Sequence, residues 1–293
     1  MTNKMEDVTR GMHLKFTNIT MVAGDNTLLN GIYGDVKPGE VMAIMGPSGA
    51  GKTTLMSLLA GREKKLGTRL TQGSVTVNGQ PLDKQVRRNI GYVPQEDKLF
   101  CWLTVRQTLQ FYGHLRLSDD ISKREKYRKV EEVMECLGLL KCADTYVGGE
   151  YGDDRGVSGG ERKRTSIATE MMTRPSLLLM DEPTSGLDSS TASNIIYTLK
   201  KLARQENQAI VATIHQPSSQ LFHLFDKVLL LCSGKMAYFG DVPGCQSFFD
   251  SIGMPCYANW NPADFLMEQL TANKSIQDKI CDGFKDSEIC GAI

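Results

Sequence analysis

The segment GPSGAGKT, residues 46–53, has the spacing of a phosphate-binding loop, G-x-x-x-x-G-K-T. It follows the short apolar run VMAIM (41–45), which predicts a strand buried on both faces, and it precedes a helical pattern. Glycines let backbone N–H groups curl around phosphate oxygens, and the N-terminus of the helix adds a partial positive charge. Lys52 would reach the β- and γ-phosphates, and the Thr53 hydroxyl would bind Mg²⁺. The segment therefore predicts a nucleotide phosphate site.

Two adjacent acids, Asp181 and Glu182, end a second apolar run in the segment SLLLMDEP, residues 176–183. A carboxylate at a strand end is placed to hold Mg²⁺, and the next one is suited to be the general base that activates water. By themselves these residues could equally be surface acids that cap a strand. Because a phosphate-binding loop precedes them in the chain, we expect Asp181 to serve magnesium and Glu182 to serve hydrolysis.

Polar side chains also follow two other predicted strands. Gln95 ends NIGYVPQ, and His215 ends AIVATIH. The carboxyl ends of sheet strands are where α/β folds bind ligands. A single Gln or His is more often structural, but the order of these two around the phosphate loop and the acid pair favours a place in the site.

The segment GVSGGERKR, residues 156–164, puts two glycines where a plain helix would want none. Ser158 and Glu161 have the capping-box spacing, so Ser158 is predicted to begin a helix. Gly159 and Gly160 would leave the first turn bare to an approaching anion. The sequence therefore predicts a second helix N-terminus that faces phosphate, which a kinase or a small GTPase would not need.

The elements around these motifs alternate between buried strands and helices, which predicts an α/β fold. We expect a P-loop NTPase core with a mostly parallel sheet, a small antiparallel β region at the N-terminus and a helical subdomain insertion. The core would comprise residues 1–95 and 171–243, the helical subdomain with the GVSGGERKR segment 96–170, and the C-terminal helices and tail 244–293.

Composition excludes some partners. Lys and Arg number 34, as do Asp and Glu, so bulk charge points neither to nucleic acid nor to an anionic membrane surface. The longest strongly apolar runs, LLLM and VLLLC, are far shorter than the ~20 residues of a membrane span, so the chain itself is expected to be soluble.

Taken in order, these motifs and SGLD at 185–188 resemble the nucleotide-binding domain of an ATP-binding-cassette (ABC) transporter, over about residues 13–270. In that family the domains act in head-to-tail pairs, and ATP lies between the P-loop of one domain and the signature serine and glycines of the other. The resemblance implies that the nucleotide phosphates are bound by Gly46, Pro47, Ser48, Gly49, Ala50, Gly51, Lys52, Thr53 and Thr54. It also implies that the cofactors are ATP and Mg²⁺.

The same resemblance implies roles for the remaining polar residues. Thr53, Gln95 and Asp181 would serve Mg²⁺ and the attacking water. Glu182 would be the catalytic base and His215 the sensor of the γ-phosphate. Three signature residues would meet the nucleotide of the partner domain: Ser158, Gly159 and Gly160. Asp188 would bridge the dimer interface.

Longer stretches resemble the G subfamily, the White-type half-transporters: RGVSGGERKR, DEPTSGLDSSTA, TIHQPSSQLFHLFDKVLLL and NPADFLMEQL. In the last one, Asn261 suits a helix N-cap and Pro262 the first helical position. This resemblance implies an ATPase motor on the cytoplasmic face of a membrane, coupled to export of a lipid, sterol, pigment precursor or amphiphile. The expected partners are a second nucleotide-binding domain, identical or different, and the transmembrane domain of the same full-length transporter. That domain is expected to dock near Gln95 and the EDKLFCWLT that follows it.

Two departures from the usual family pattern concern nucleotide contacts. Most members stack adenine on an aromatic ring where this chain has Ala23 and its neighbours, and no aromatic residue lies between Phe16 and Tyr33. The signature also has Val157 and Glu161 where Leu and Gln are commoner.

Three alternatives stay open at this point. The chain could be a soluble, non-transport ABC ATPase that acts as an interaction switch, or a natural short regulatory form. An ordinary P-loop kinase would instead transfer phosphate to an acceptor.

Overall fold

A computed structural model describes residues 11–63, 67–148, 156–257 and 260–287. Its first sheet is antiparallel and has the strand order β2-β1-β4-β5. The strands are β1 (Leu14–Ala23), β2 (Asn26–Val36), β4 (Arg69–Val77) and β5 (Gln80–Pro81). This is the small antiparallel region expected at the N-terminus.

The central sheet has six strands in the order β10-β9-β3-β8-β7-β6. They are β3 (Val41–Met45), β6 (Ile90–Val93), β7 (Leu177–Met180), β8 (Ala209–Thr213), β9 (Lys227–Cys232) and β10 (Lys235–Asp241). All pairs are parallel except that of β9 with β10, which lies at the edge. Every residue of β3, β7 and β8 is buried, as continuous apolar runs require for strands covered on both faces. The predicted α/β fold with a mostly parallel core is confirmed.

Helices cover this sheet and position the motifs at its carboxyl edge. They are α1 (Lys52–Leu59), α6 (Ser189–Gln205) and α7 (Ser219–Phe222); the short helix α2 (Lys84–Arg87), which buries none of its residues, precedes β6. Helix α1 follows β3 through the glycine loop, and α6 follows β7 through the acid pair. The loops that carry chemistry therefore lie side by side, because β3, β8 and β7 are neighbours in the sheet.

Between β6 and β7 the described residues form three α-helices, α3 (Val105–Arg116), α4 (Lys123–Cys136) and α5 (Gly159–Met171), and a short 3-10 helix at Leu140–Cys142. Each α-helix begins with a capping box, at Thr104, Ser122 and Ser158 respectively. The box at Ser158 was predicted above, and Thr104 and Gln107 have the same spacing in the sequence. The Gly- and Asp-rich segment that precedes Ser158 lies mostly outside the described residues.

Three further helices follow β10: α8 (Val242–Ser251), α9 (Pro262–Thr271) and α10 (Lys274–Lys285). Asn261 caps α9 by accepting a hydrogen bond from the Ala263 N–H, with Pro262 in the first turn, as predicted. Helix α10 occupies much of the polar tail and buries Ile280, Cys281 and Phe284. No helix in the described part of the chain is both long and apolar enough to cross a bilayer.

Candidate functional site

A cleft of about 1180 Å³ opens at the carboxyl edge of the central sheet. It brings together most of the residues that the sequence singled out. Among the residues that line it are Ser48, Gly49, Gly51, Lys52, Thr53, Thr54, Gln95, Glu182 and His215. Segments far apart in the sequence thus meet in one place because the strands that carry them are adjacent.

The glycines of the phosphate loop are required by its path. Gly51 has φ 101°, and a Cβ placed there would lie 2.5 Å from the Leu29 side chain. Gly46 has φ 151°, and a Cβ there would lie 2.2 Å from the carbonyl oxygen of Leu231. Both residues combine a backbone conformation that side chains disfavour with a close approach, so any other residue type would displace the loop.

Lys52 is buried beside this loop, with only 7% of its surface exposed. Its ammonium group donates to the Gly46 carbonyl at 2.7 Å and to the Pro47 carbonyl at 3.1 Å. Burial lowers the pKa of Lys52, and the charges of Glu182 and Asp181 oppose that shift. A phosphate in the loop would supply the counter-charge that these carbonyls replace only in part, so Lys52 fits its expected role.

A single hydroxyl holds the two acids in place. Thr213, at the end of β8, donates to Asp181 Oδ1 at 2.7 Å and accepts the backbone N–H of Glu182 at 2.8 Å. Asp181 is buried. Burial of the neighbouring Tyr92, together with the charge of Asp181, raises the pKa of Tyr92 to about 12. Thr213 was not predicted as a site residue. Threonine is a common strand residue, so its presence in an apolar strand gives no local signal of a role in the site.

Glu182 is held in an uncommon backbone conformation, with φ 46°. Left-handed backbone costs a non-glycine residue roughly 1–2 kcal/mol and persists where surrounding contacts fix it. Here the Thr213 hydroxyl fixes the Glu182 N–H, and the Gln95 side-chain amide donates to Glu182 Oε2 at 2.8 Å. The carboxylate is therefore aimed into the cleft by contacts from two other strands.

His215 is exposed in the cleft just beyond β8. The next residue, Gln216, has φ 46°, so the backbone turns sharply at this point. The structure thus places His215 with Lys52, Gln95 and Glu182, as the sequence predicted.

The residues expected to hold metal suit a cation that arrives with phosphate. No group of three or more His, Cys, Asp or Glu residues in the described ranges could hold a metal ion by itself. Mg²⁺ in nucleotide sites usually takes one or two carboxylates together with substrate phosphates and waters. Thr53, Gln95 and the buried Asp181 provide a donor set of this kind beside the phosphate loop.

The signature residues lie outside the cleft of their own chain. Ser158 and Gly159 are exposed, and neither lines the cleft. Ser158 caps α5: it accepts the Glu161 N–H at 3.3 Å, and its hydroxyl donates to the Glu161 carboxylate at 2.8 Å. The Ser158 backbone N–H also donates to the Glu161 carboxylate, at 2.8 Å, and this bond, together with that from the Ser158 hydroxyl, holds the pKa of Glu161 below its usual value.

The expectation of a bare first turn fits Gly159 but not Gly160. Gly160 is buried, and a Cβ there would lie 2.4 Å from Thr191 Cγ2 on α6. Glycine at this position lets α5 and α6 pack closely, a need that the sequence could not show. Asp188 does not line the cleft either; it caps α6 by accepting the N–H groups of Ser190 and Thr191. Hydrogen bonds from the Thr191 hydroxyl and N–H and from Ser190 lower the pKa of Asp188.

The wall beside the phosphate loop was not predicted. Thr27 and Leu28 of β2 and the turn Ser233–Gly234 line the cleft there. The turn is hydrogen-bonded to β2 on one side and to the phosphate loop on the other. The Asn30 N–H donates to the Gly234 carbonyl at 2.8 Å, and the Gly234 N–H donates to the Ala50 carbonyl at 3.2 Å. Among the described residues that line the cleft there is no Phe, Tyr or Trp, so this wall presents Leu28 to a base rather than an aromatic ring.

The fold and the cleft define a P-loop nucleotide-binding domain with a second, separate helix N-terminus. A family model described as ABC transporter matches residues 29–185, more than half of the chain, and another described as ABC-2 type transporter matches 215–282. The chain belongs to the ABC transporter family. The second match falls on β9, β10 and the three C-terminal helices.

Curated relatives confirm the resemblance to the G subfamily. The chain is 46% identical to ABC transporter G family member 22 of Arabidopsis thaliana, over 94% of this chain and 35% of the relative. It is 42% identical to Protein white of Drosophila melanogaster, over 89% of this chain and 39% of the relative. The chain thus spans well under half the length of these relatives.

Solved structures agree in fold. The protein cbiO1 from Clostridium perfringens, part of an ABC transporter complex, matches with a TM-score of 0.70 and 25% identity, over 82% of this chain and 92% of that one. The ATP-binding cassette MJ0796, solved as a dimer with ADP and Pi after hydrolysis, matches with a TM-score of 0.64 and 25% identity, over 78% and 98%.

Proposed function

We propose that this chain is the ATP-binding and ATP-hydrolysing motor of a G-family ABC half-transporter, and that two copies close head to tail around two ATP molecules with Mg²⁺. One observation carries the proposal. The cleft holds the phosphate loop, Gln95, Glu182 and His215, whereas the exposed signature turn at Ser158 faces outward on the same chain. Each chain therefore offers two different halves of a nucleotide site, which a second copy can complete.

Within one closed site, the chain's own groups have separate tasks. Lys52 and the loop N–H groups bind the β- and γ-phosphates and offset their charge. Glu182 accepts a proton from the attacking water as its oxygen bonds to the γ-phosphorus and the bond to the β-phosphate oxygen breaks, releasing ADP and phosphate. Gln95 and Thr213 orient Glu182, and Mg²⁺ held by Thr53, Gln95 and Asp181 would offset phosphate charge.

Closure and reopening supply the mechanical step. The γ-phosphate makes contacts with both half-sites only when the two copies are together, so it stabilises the closed pair, and hydrolysis removes those contacts. The dimeric relative MJ0796, described with ADP and Pi, supports this assembly for the chain. Whether the partner is an identical or a different half-transporter is left open by this proposal.

The proposed attachment to a membrane domain places the chain on the cytoplasmic face of a membrane. In support, the segment after Gln95 exposes apolar side chains. Trp102 is 72% and Phe100 52% exposed, and the Phe100 ring contacts that of the 41% exposed Phe111 on α3, with centroids 5.6 Å apart. Isolated exposed apolar side chains are ordinary, but a cluster this dense suits a protein partner. The cargo proposed from family resemblance is a lipid, sterol, pigment precursor or other amphiphile.

The proposal is tested with Glu182→Gln and Lys52→Ala. Glu182→Gln should bind ATP with unchanged affinity in calorimetry and lose hydrolysis by about 100-fold or more, since the base is gone. With ATP and Mg²⁺ it should also run as a dimer on a sizing column. Lys52→Ala should lose tight ATP binding and should stay monomeric.

Other outcomes discriminate against the proposal. Unchanged hydrolysis by Glu182→Gln would remove that residue from its role. A chain that stays monomeric with ATP while it phosphorylates an acceptor would be a kinase. A reading frame without apolar segments of ~20 residues beyond position 293 would favour the soluble interaction switch or a regulatory short form.

A further inference from the structure

A buried lysine on α5, Lys163, belongs to none of the functions described so far. It lies in the second turn of the helix that Ser158 begins, and only 4% of its surface is exposed. Its ammonium group donates to the backbone carbonyl of Gln95 at 2.8 Å. It also forms an ion pair with Asp97 Oδ1 at 2.7 Å, and the Asp97 side chain is 11% exposed.

Packing alone gives no reason for a charge at this position. Removing an ammonium and a carboxylate from water is costly, and a well-packed apolar pair of similar volume often stabilises a protein as well or better. Ionic contacts to two residues of one segment do, however, fix that segment in a defined position relative to the helix. The Lys163 contacts fix the segment that begins with Gln95.

Gln95 is bonded on both of its sides. Its carbonyl accepts from Lys163, while its side-chain amide donates to Glu182 Oε2. A displacement of α5 at Lys163 therefore moves the amide that orients the catalytic carboxylate. Gln95 is thus the single residue through which Lys163, on the signature helix, is connected to the proposed general base Glu182.

The far end of α5 is joined to the same strand. Glu170 accepts the backbone N–H of Tyr92 at 3.3 Å and forms an ion pair with Arg116 of α3. Since Tyr92 and Gln95 are three positions apart, α5 holds the end of β6 at two points. These contacts make α5 and the end of β6 move as one unit.

We propose that Lys163 is a positioning residue that links the signature end of α5 to Gln95 and Glu182 of the same chain. The proposal rests on the head-to-tail pair proposed above. In such a pair the N-terminus of α5 meets the ATP bound by the other copy, whereas Gln95 and Glu182 act on the ATP of their own P-loop. Lys163 then connects the two ATP sites of the dimer, and hydrolysis at one depends on closure at the other.

The test compares Lys163→Met with a matched control, Lys126→Met. Lys126 is equally buried, on α4, and its ammonium group also contacts a backbone carbonyl, that of Leu117 at 3.2 Å, but it has no contact with the Gln95 segment. The rate of hydrolysis is measured against ATP concentration at a protein concentration that allows dimers. ATP affinity is measured by calorimetry, and the melting temperature of each variant by circular dichroism.

Lys163→Met should keep ATP affinity within about twofold, because the P-loop is untouched. Its kcat should fall about tenfold or more, and the Hill coefficient should drop from above 1.5 toward 1, because closure at one site no longer positions Gln95 at the other. Lys126→Met should match the unmodified chain in Hill coefficient whatever its melting temperature. If Lys163 had only a structural role, Lys163→Met and Lys126→Met would change kcat and the Hill coefficient alike.

Lys163→Met with unchanged kcat and Hill coefficient overturns the link, as does an equal loss of both in Lys126→Met. If Lys163→Met does not fold, Lys163→Gln decides, because its shorter, neutral side chain keeps a polar group at the buried site but removes the charged contacts to the Gln95 carbonyl and to Asp97; it should lower the Hill coefficient, and an unchanged value overturns the proposal. An unmodified chain that neither dimerises nor hydrolyses ATP contradicts the proposed function itself, a result distinct from loss of cooperativity in the variant.

Discussion

Thr213 shows how one small side chain can hold two adjacent acids in place. Its hydroxyl donates to a buried carboxylate, Asp181, and accepts the N–H of the strained residue Glu182. A hydroxyl is suited to this place since it can donate and accept at once. Without it, a buried carboxylate oxygen and a backbone N–H would both lose a partner.

We expect Thr213→Val, which keeps the shape and removes the hydroxyl, to lower the free energy of unfolding by about 1–3 kcal/mol. Hydrolysis should fall about tenfold, because Glu182 loses the contact that fixes its backbone. Urea denaturation and a phosphate-release assay measure the two effects.

Thr108→Val is the control for this change. The Thr108 hydroxyl is fully buried on α3 and has no hydrogen-bond partner among the described residues. Replacing an unpartnered buried hydroxyl with a methyl group should leave stability unchanged or raise it. Equal losses in the two valine variants would mean that the bonds of Thr213 contribute nothing.

The parts of the site that could be predicted are those encoded within a few residues. Lys52 and Thr53 belong to one contiguous loop, and Asp181 and Glu182 are adjacent at a strand end. Thr213 contacts the acids across more than thirty positions of sequence, and Leu28 reaches the cleft through pairing within a different sheet. Such contacts depend on strand order, which no local pattern specifies.

At the scale of elements, the packing of α5 on α6 gives the two signature glycines different tasks. Gly160 lies against Thr191, with no room for a Cβ, whereas a Cβ on Gly159 would meet Leu187 at an ordinary 3.4 Å. The Asp188 cap sits at the start of the same α6. The position of the signature turn therefore depends on the contact between α5 and α6. Of its two glycines, Gly160 is buried in that contact and Gly159 is exposed.

We expect Gly160→Ala to destabilise the isolated chain by about 1–3 kcal/mol, since the added methyl group forces α5 away from α6. Gly159→Ala should leave the melting temperature of the isolated chain nearly unchanged or raise it slightly, because alanine favours a helix. It should nevertheless weaken ATP-driven dimerisation on a sizing column. Equal melting temperatures for the two variants would contradict the packing argument.

Strands that are buried on both faces could be predicted closely, whereas mixed patterns could not. The run LLLM predicted β7, and the run AIVATI before His215 predicted β8, which ends one residue earlier, at Thr213. Strand β2 (Asn26–Val36) contains polar residues and two glycines, so its length had no clear signal. The bounds of helix α10 could not be predicted because most of its residues are polar, although its buried residues Ile280 and Phe284 have the four-residue spacing of a helix face.

At the scale of the whole molecule, the C-terminal helices are continuous with the nucleotide cleft. Phe284 of α10 packs against Tyr238 of β10 and Phe248 of α8, each pair with ring centroids 5.6 Å apart. Ser233 and Lys235 bond to Gln277 and Asp278 of α10. Ser233 and Gly234, in the turn that precedes Lys235, line the cleft, so contacts from α10 support one wall of the cleft.

This continuity predicts that the region from 244 onward does not unfold separately. We expect Phe284→Ala to lower the free energy of unfolding by about 3–5 kcal/mol, since a fully buried ring is removed from a packed cluster. Unfolding should remain a single transition, shifted as a whole, and added ATP should still raise its midpoint. Denaturant titrations followed by near-UV and far-UV circular dichroism measure this.

Tyr197→Ala is the control, because Tyr197 is 63% exposed on α6 and its removal should change stability by no more than about 0.5 kcal/mol. Two separate transitions in Phe284→Ala, with the ATP-stabilised one unmoved, would show that the C-terminal helices form an independent unit. A single shifted transition would instead show that the C-terminal helices and the wall of the nucleotide cleft unfold together, as the proposed motor would require if a membrane domain acted on these helices.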